Sequence, residues 1–134
     1  MSPPFIPDMA AERPQCIIAL PWPDRRLSPN ARLHWRAKAA LVKKARADAH
    51  FLALEAAGYS LGSIRADLAG EAPIPLKITF TPPDRRLRDR DNMQASAKHL
   101  LDGIADALHV NDRRFRPTYD FADPKAPGGV EVAI

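Results

Sequence analysis

Read by its apolar and polar positions, the chain divides into four short stretches of strand character and two longer ones of helical character. Cys16-Ile17-Ile18-Ala19-Leu20 is a short apolar run closed by Pro21-Trp22-Pro23. Its length, its β-branched content and the proline flank predict a strand. From about Leu33 to Ala57 the apolar positions return at helical spacing, with Trp35, Ala39, Val42, Ala49, Leu52 and Ala56 on one stripe. The abundance of alanine favours a helix there, and Gly58 is a natural stop. Residues 59–75 read as a linker containing Gly62, Gly70, Pro73 and Pro75, with a short helical turn over Ser63 to Leu68. Leu76, Ile78 and Phe80 then alternate with Lys77 and Thr79, the pattern of a half-buried strand ended by Pro82-Pro83. Met93, Ala97, Leu100, Leu101, Ile104 and Leu108 define a second amphipathic helix. Tyr119 and Phe121 suggest a third strand, Pro124 to Gly129 a turn, and Val130, Val132 and Ile134 a fourth strand. The order β-α-β-α-β-β predicts an α+β (mixed α/β) fold: one mixed four-stranded sheet with two main helices packed on it. Residues 1–14 read as a flexible arm and residues 15–134 as the domain.

Composition narrows the class. At 134 residues and 46% apolar content, the chain can bury a core without disulfides or metals. No apolar run approaches the roughly 18 residues that span a bilayer. Met1 to Pro14 lacks the apolar stretch of a signal peptide. Cys16 is the one cysteine, which excludes an internal disulfide and a cysteine-based zinc cage, and its apolar neighbours predict a buried thiol. The expectation is a soluble, cytoplasmic protein with no membrane partner.

The net charge of +4 is modest, but its distribution is uneven. Between Arg25 and Arg46 there are eight basic residues, with Asp48 the nearest acid beyond them. A second basic cluster comprises Arg85, Arg86, Arg88 and Arg90. Such clusters are the footprint of a polyanion partner, and equally of an ordinary solvated surface.

The candidate chemistry begins at Asp89-Arg90-Asp91-Asn92. Two carboxylates two residues apart point the same way on an extended backbone. Mg²⁺ accepts one or two such carboxylates together with phosphate oxygens. The same residues also suit a charged turn in which Asp and Arg neutralise each other. On the helix that follows, at about 100° per residue, Asp91, Lys98 and Asp102 fall nearly in line, opposite the apolar stripe. Lys98 and Asp102 alone are also an ordinary i, i+4 ion pair. Asp112, in Val110-Asn111-Asp112-Arg113-Arg114, supplies a third carboxylate if the chain turns back toward the sheet. Three acids, a lysine and surrounding arginines are the groups that phosphodiester hydrolysis uses.

These residues resemble the RusA-type Holliday junction resolvases, crossover junction endodeoxyribonucleases common in prophages. The resemblance spans roughly residues 16–134. It is carried by Leu20-Pro21-Trp22-Pro23, Pro83-Asp84-Arg85-Arg86, Arg88-Asp89-x-Asp91-Asn92, Lys98-x-x-x-Asp102, Asn111-Asp112 and Gly128-Gly129-Val130-Glu131-Val132. It implies a homodimeric, Mg²⁺-dependent endonuclease (Mn²⁺ a possible substitute) that nicks two opposed strands of a four-way junction in DNA recombination and repair. By position, Asp89, Asp91 and Asp112 resemble the metal ligands and Lys98 the catalytic lysine, with Asn92 and Asp102 supporting them. Arg85, Arg86, Arg88 and Arg90 would contact DNA, and Asn30 and Arg32 would lie near the DNA face. The chain departs from the family pattern twice. Lys98 follows Asp91 by seven residues instead of four, and Asn111-Asp112 stands where the family has paired aspartates.

The remaining candidates have plain readings beside the functional ones. His34, His50, His99 and His109 lack ligand spacing; His109 is a loop histidine or a proton-transfer group beside Asp112. Trp35 is assigned to the core, the alternative being a base-stacking platform. Trp22 is a candidate for a dimer interface. Three functions stay open: a junction-cleaving nuclease, an inactive branched-DNA-binding module, and a small metal-dependent nuclease acting on other nucleic acid.

Overall fold

The computed structural model describes residues 14–134. The arm expected over residues 1–14 lies, Pro14 apart, outside the described residues. Four strands, β1 (Ile17–Leu20), β2 (Ile74–Thr81), β3 (Phe115–Phe121) and β4 (Gly129–Ala133), form one sheet in the order β1-β4-β2-β3. β4 pairs antiparallel with both β1 and β2, whereas β2 and β3 are parallel. The three α-helices are α1 (Trp35–Ala57), α2 (Leu61–Asp67) and α3 (Arg90–Leu108). The sheet is mixed and carries two main helices, as the sequence pattern predicts.

Alternation along the strands decides which sheet face is covered. Ile18, Leu20, Leu76, Ile78, Phe80, Val130 and Val132 are buried, and α1 and α3 pack over that side. Ile17, Ala19, Lys77, Thr118 and Glu131 point to the opposite, open face. There Lys77 and Asp120 form an ion pair at 3.1 Å. Cys16 is buried as expected, and burial pushes its thiol pKa up.

The two main helices touch through small residues. An added Cβ on Gly103 of α3 would collide with the Arg46 carbonyl and lie 2.9 Å from the Ala49 Cβ. Around this crossing the Arg46 guanidinium forks onto the Asp106 carboxylate at 2.6 and 2.9 Å, and Arg65 of α2 donates twice to the Ala107 carbonyl.

Two expectations change. The buried residues of α1 are Ala49, Ala53 and Ala57, so of the predicted stripe only Ala49 is fully buried; Val42 and Leu52 are half-buried, and Trp35, Ala39 and Ala56 are exposed. In an alanine-rich helix a small-residue stripe can be drawn at several phases, and the close approach at Gly103 selects the line through Ala49 and Ala53. The helical turn predicted over Ser63 to Leu68 is the full helix α2, anchored by buried Ile64.

The β2-α3-β3 unit sets the functional geography. A parallel pair joined by a crossover helix puts the start of the helix beside the carboxyl ends of the strands. Arg90, the first residue of α3, lies over the ring of Phe121, the last residue of β3, at 4.4 Å. Asp112 precedes β3 and so belongs to the other end of the sheet.

Candidate functional site

The loop from Pro82 to Asp89 is organised by charge. Asp84 accepts the Arg86 backbone N–H at 3.0 Å, and Arg88 donates to the Asp84 carboxylate at 2.8 Å. Arg88 also donates to the carbonyls of Asp84 and Arg86, each at 3.0 Å. The backbone bond from Arg86, then the bond from Arg88, hold the Asp84 carboxyl below its usual range. The Arg88 side chain is only 18% exposed and its guanidinium lies 5.4 Å from the centre of the Trp22 ring. Arg88, which the resemblance assigns to DNA, therefore has both terminal nitrogens bonded within the loop. Arg85 and Arg86 are exposed, as are Asn30 and Arg32.

Asp89 ends the loop and begins α3. Its Oδ1 accepts the Asp91 backbone N–H at 2.8 Å, and its carbonyl accepts the Met93 N–H at 3.1 Å. This satisfies a helix-start donor that would otherwise lack a partner. Asp91 is exposed in the first turn, where the positive end of the helix dipole favours a carboxylate. Asp89, and not Asp91, lines a cavity of about 230 Å³ together with Trp22, Phe80, Arg88, Asn92 and Met93 among others. The ring of Trp22 meets Phe80 edge-on at 6.2 Å. The Asn92 carbonyl accepts the Ser96 hydroxyl at 2.8 Å, which ties the first two turns together.

The structure does not bring all the predicted acids together. Asp91 and Asp102 are separated by about 16 Å of helix axis at 1.5 Å per residue. Asp112, in the turn after α3, meets Asp102, not Asp89 and Asp91. The physical reason is the crossover: β3 runs its whole length, from Phe115 to Phe121, before reaching the end of the sheet where Asp89 sits. Among the described residues, no group of three or more His, Cys, Asp or Glu side chains is placed to hold a metal ion.

Asp102 has a distinct electrostatic setting. Burial pushes its carboxyl pKa up, and the Asp112 charge and a shared hydrogen bond with Asp112 push the same way. Lys98 and Arg46 oppose the shift. Lys98 thus acts on Asp102, one turn away, and stands about 10 Å along the axis from Asp91. Burial lowers the pKa of His99, with Lys98 and Lys38 adding to the effect and Asp102 opposing it. His109 closes α3 in the left-handed conformation at φ 57°, its backbone N–H bonded to the last turn. The Asp102–Asp112 contact was invisible in sequence, because it depends on how the chain leaves α3.

The chain is 45% identical over 107 residues to an uncharacterized protein of Xylella fastidiosa (strain Temecula1 / ATCC 700964). The match covers 80% of this chain and 67% of that protein. The chain belongs to that protein's family. No family model matches it. Among the described residues of this chain, no helix is long and apolar enough to cross a membrane.

Proposed function

We propose that the protein is a divalent-cation-dependent endonuclease of RusA type that acts as a homodimer on branched DNA, nicking opposed strands of a four-way junction. The observation that carries this reading is the Asp89–Asp91 pair at the start of α3, next to an arginine-rich loop, with Asp89 lining a cavity at the carboxyl ends of the parallel strands. The family resemblance of the same segment adds to it.

The donor set fits a hard cation in a limited way. Among the described residues the Asp91 carboxylate accepts no hydrogen bond, and Asp89 spends only Oδ1 on its cap. Two carboxylates plus waters and substrate phosphate oxygens make an ordinary Mg²⁺ environment. Asp89 and Asp91 would hold the ion, with Mn²⁺ an acceptable replacement; Asp112 does not join them within one chain. The bound ion would supply a water of lowered pKa and charge neutralisation at the phosphate. Arg85 and Arg86 would hold the DNA backbone without reading sequence. Lys98, on the same helix side, would add positive charge further along the strand. Paired nicks across a two-fold substrate call for two related sites, hence a dimer.

The placement of Asp112 favours one second reading: a branched-DNA-binding module without turnover. A substrate panel at one salt concentration separates the two. Four-way junction, linear duplex, single-stranded DNA and RNA are each incubated with Mg²⁺ or Mn²⁺, using the natural chain and Asp89→Asn. A nuclease nicks the junction preferentially, and Asp89→Asn binds it more tightly but no longer cuts. A binding module shows the tighter binding and no nicks with either chain. Preferential cutting of RNA or single strands would contradict the junction reading.

A further inference from the structure

The first half of α1 is not explained by the nuclease site. No residue of α1 before Ala49 is buried, so about four helical turns contribute nothing fully enclosed to the core. Trp35, at the first position, is 68% exposed. Its ring is flanked by its own chain neighbours: His34 stacks on it at 5.7 Å, and the Arg36 guanidinium lies 5.1 Å from its centre. From Trp35 to Asp48 the helix carries five basic residues and one acid. Lys44 is bound to Asp48 and Arg46 to Asp106. Arg36, Lys38 and Lys43 form no ion pair among the described residues.

We infer that Trp35 and Arg36 form a stacking platform for an unpaired nucleobase, with Arg32 and Lys38, three residues to either side of Trp35 in the chain, supplying charge for the flanking phosphates. An exposed indole in a basic surface matches the two parts of single-strand recognition: a ring on which a base stacks, and a positive track for the backbone. A duplex hides its base faces, so the ring is of use only where strands are open, as at a branch or a single-stranded end. A second copy of this chain is a poorer occupant. A two-fold contact through the patch would set its uncompensated cations against their own copies. This inference rests on the nucleic-acid-binding part of the proposed function and not on cutting.

The test uses the full chain, a 12-nucleotide single-stranded oligothymidylate and a blunt duplex, with binding followed by fluorescence anisotropy. Trp35→Ala is expected to weaken single-strand binding by about 5- to 100-fold, the range for loss of one stacked base. Trp35→Phe should keep most of the affinity, and neither variant should change duplex binding more than about two-fold. Single-strand affinity unchanged in Trp35→Ala, or an equal loss on both DNAs, overturns the inference. So does sedimentation in which Trp35→Ala dissociates an oligomer and leaves single-strand binding intact. Incubating the natural chain and Trp35→Ala with a four-way junction and Mg²⁺ separates the two claims: if neither nicks it but the Trp35 effect is present, the nuclease reading fails and the platform stands.

Discussion

Arg88 and Asp102 show how much a residue's role depends on its neighbours. In sequence, Arg88 is one of four arginines before and within the acidic pair, and nothing distinguishes it. In the structure its fork is spent on Asp84 and two loop carbonyls, which makes it the residue that shapes the approach to Asp89. Arg88→Ala should lower Tm by a few degrees and increase proteolytic cutting between Pro82 and Asp89. Arg88→Lys should not restore either property, since a lysine cannot reproduce the planar fork. Asp24 and Asp102 carry opposite pH dependences. Asp24 is held down to about 2, chiefly by the side-chain hydrogen bond from Arg26, so its contribution is present above the usual carboxylate range and is lost as pH falls toward 2. Asp102 is shifted up, so the folded state favours its proton, and that advantage disappears as pH rises through its folded value. Asp102→Asn should therefore raise Tm at pH 7, by roughly 1–3 °C for such a solvent-screened pair. The difference should vanish near pH 3, where the carboxyl is already protonated; a lower Tm at pH 7 would contradict the assigned charge balance.

At the scale of elements, β2, β4 and α3 are legible because large apolar residues alternate or recur without ambiguity, whereas β3 begins at Phe115, within a stretch from His109 to Pro117 that reads as a polar loop. Ile78 and Phe80, and Ile104 and Leu108, are fixed to the core by pattern alone. Helix α1 is legible in extent and not in phase. Its alanines offer little apolar contrast, and only the crossing with α3 selects Ala49 and Ala53. Trp35 is exposed and not in the core for the same reason, since it lies on a reasonable stripe in a part of the helix that reaches past the core. Gly103 is the hidden determinant: a glycine in mid-helix reads as a weakness until the Arg46 carbonyl is seen against it. Gly103→Ala should destabilise the protein by about 1–3 kcal/mol despite the better helix propensity of alanine, measured by urea unfolding. A stabilised variant would show that the helices separate at little cost.

For the whole molecule, the crossover topology decides which acids share a site. The Asp-x-Asp segment was legible as a helix start with two exposed carboxylates, and the structure gives it that position. The third carboxylate was not legible, because sequence order says nothing about the end of the sheet at which a chain re-enters. The modest +4 charge resolves into a basic α1, an arginine loop partly consumed by Asp84, and two separate acidic pairs. The proposed nuclease needs Asp89 and Asp91 as its cutting site. Its most direct test is nicking of a synthetic four-way junction in Mg²⁺, with the natural chain and Asp91→Asn compared at protein concentrations giving equal junction binding. Symmetric nicks are expected from the natural chain and at least about a hundredfold slower nicking, on the order expected for loss of a group acting on the developing charge, from Asp91→Asn. Equal nicking by both chains, or none by the natural chain in either Mg²⁺ or Mn²⁺, would contradict it.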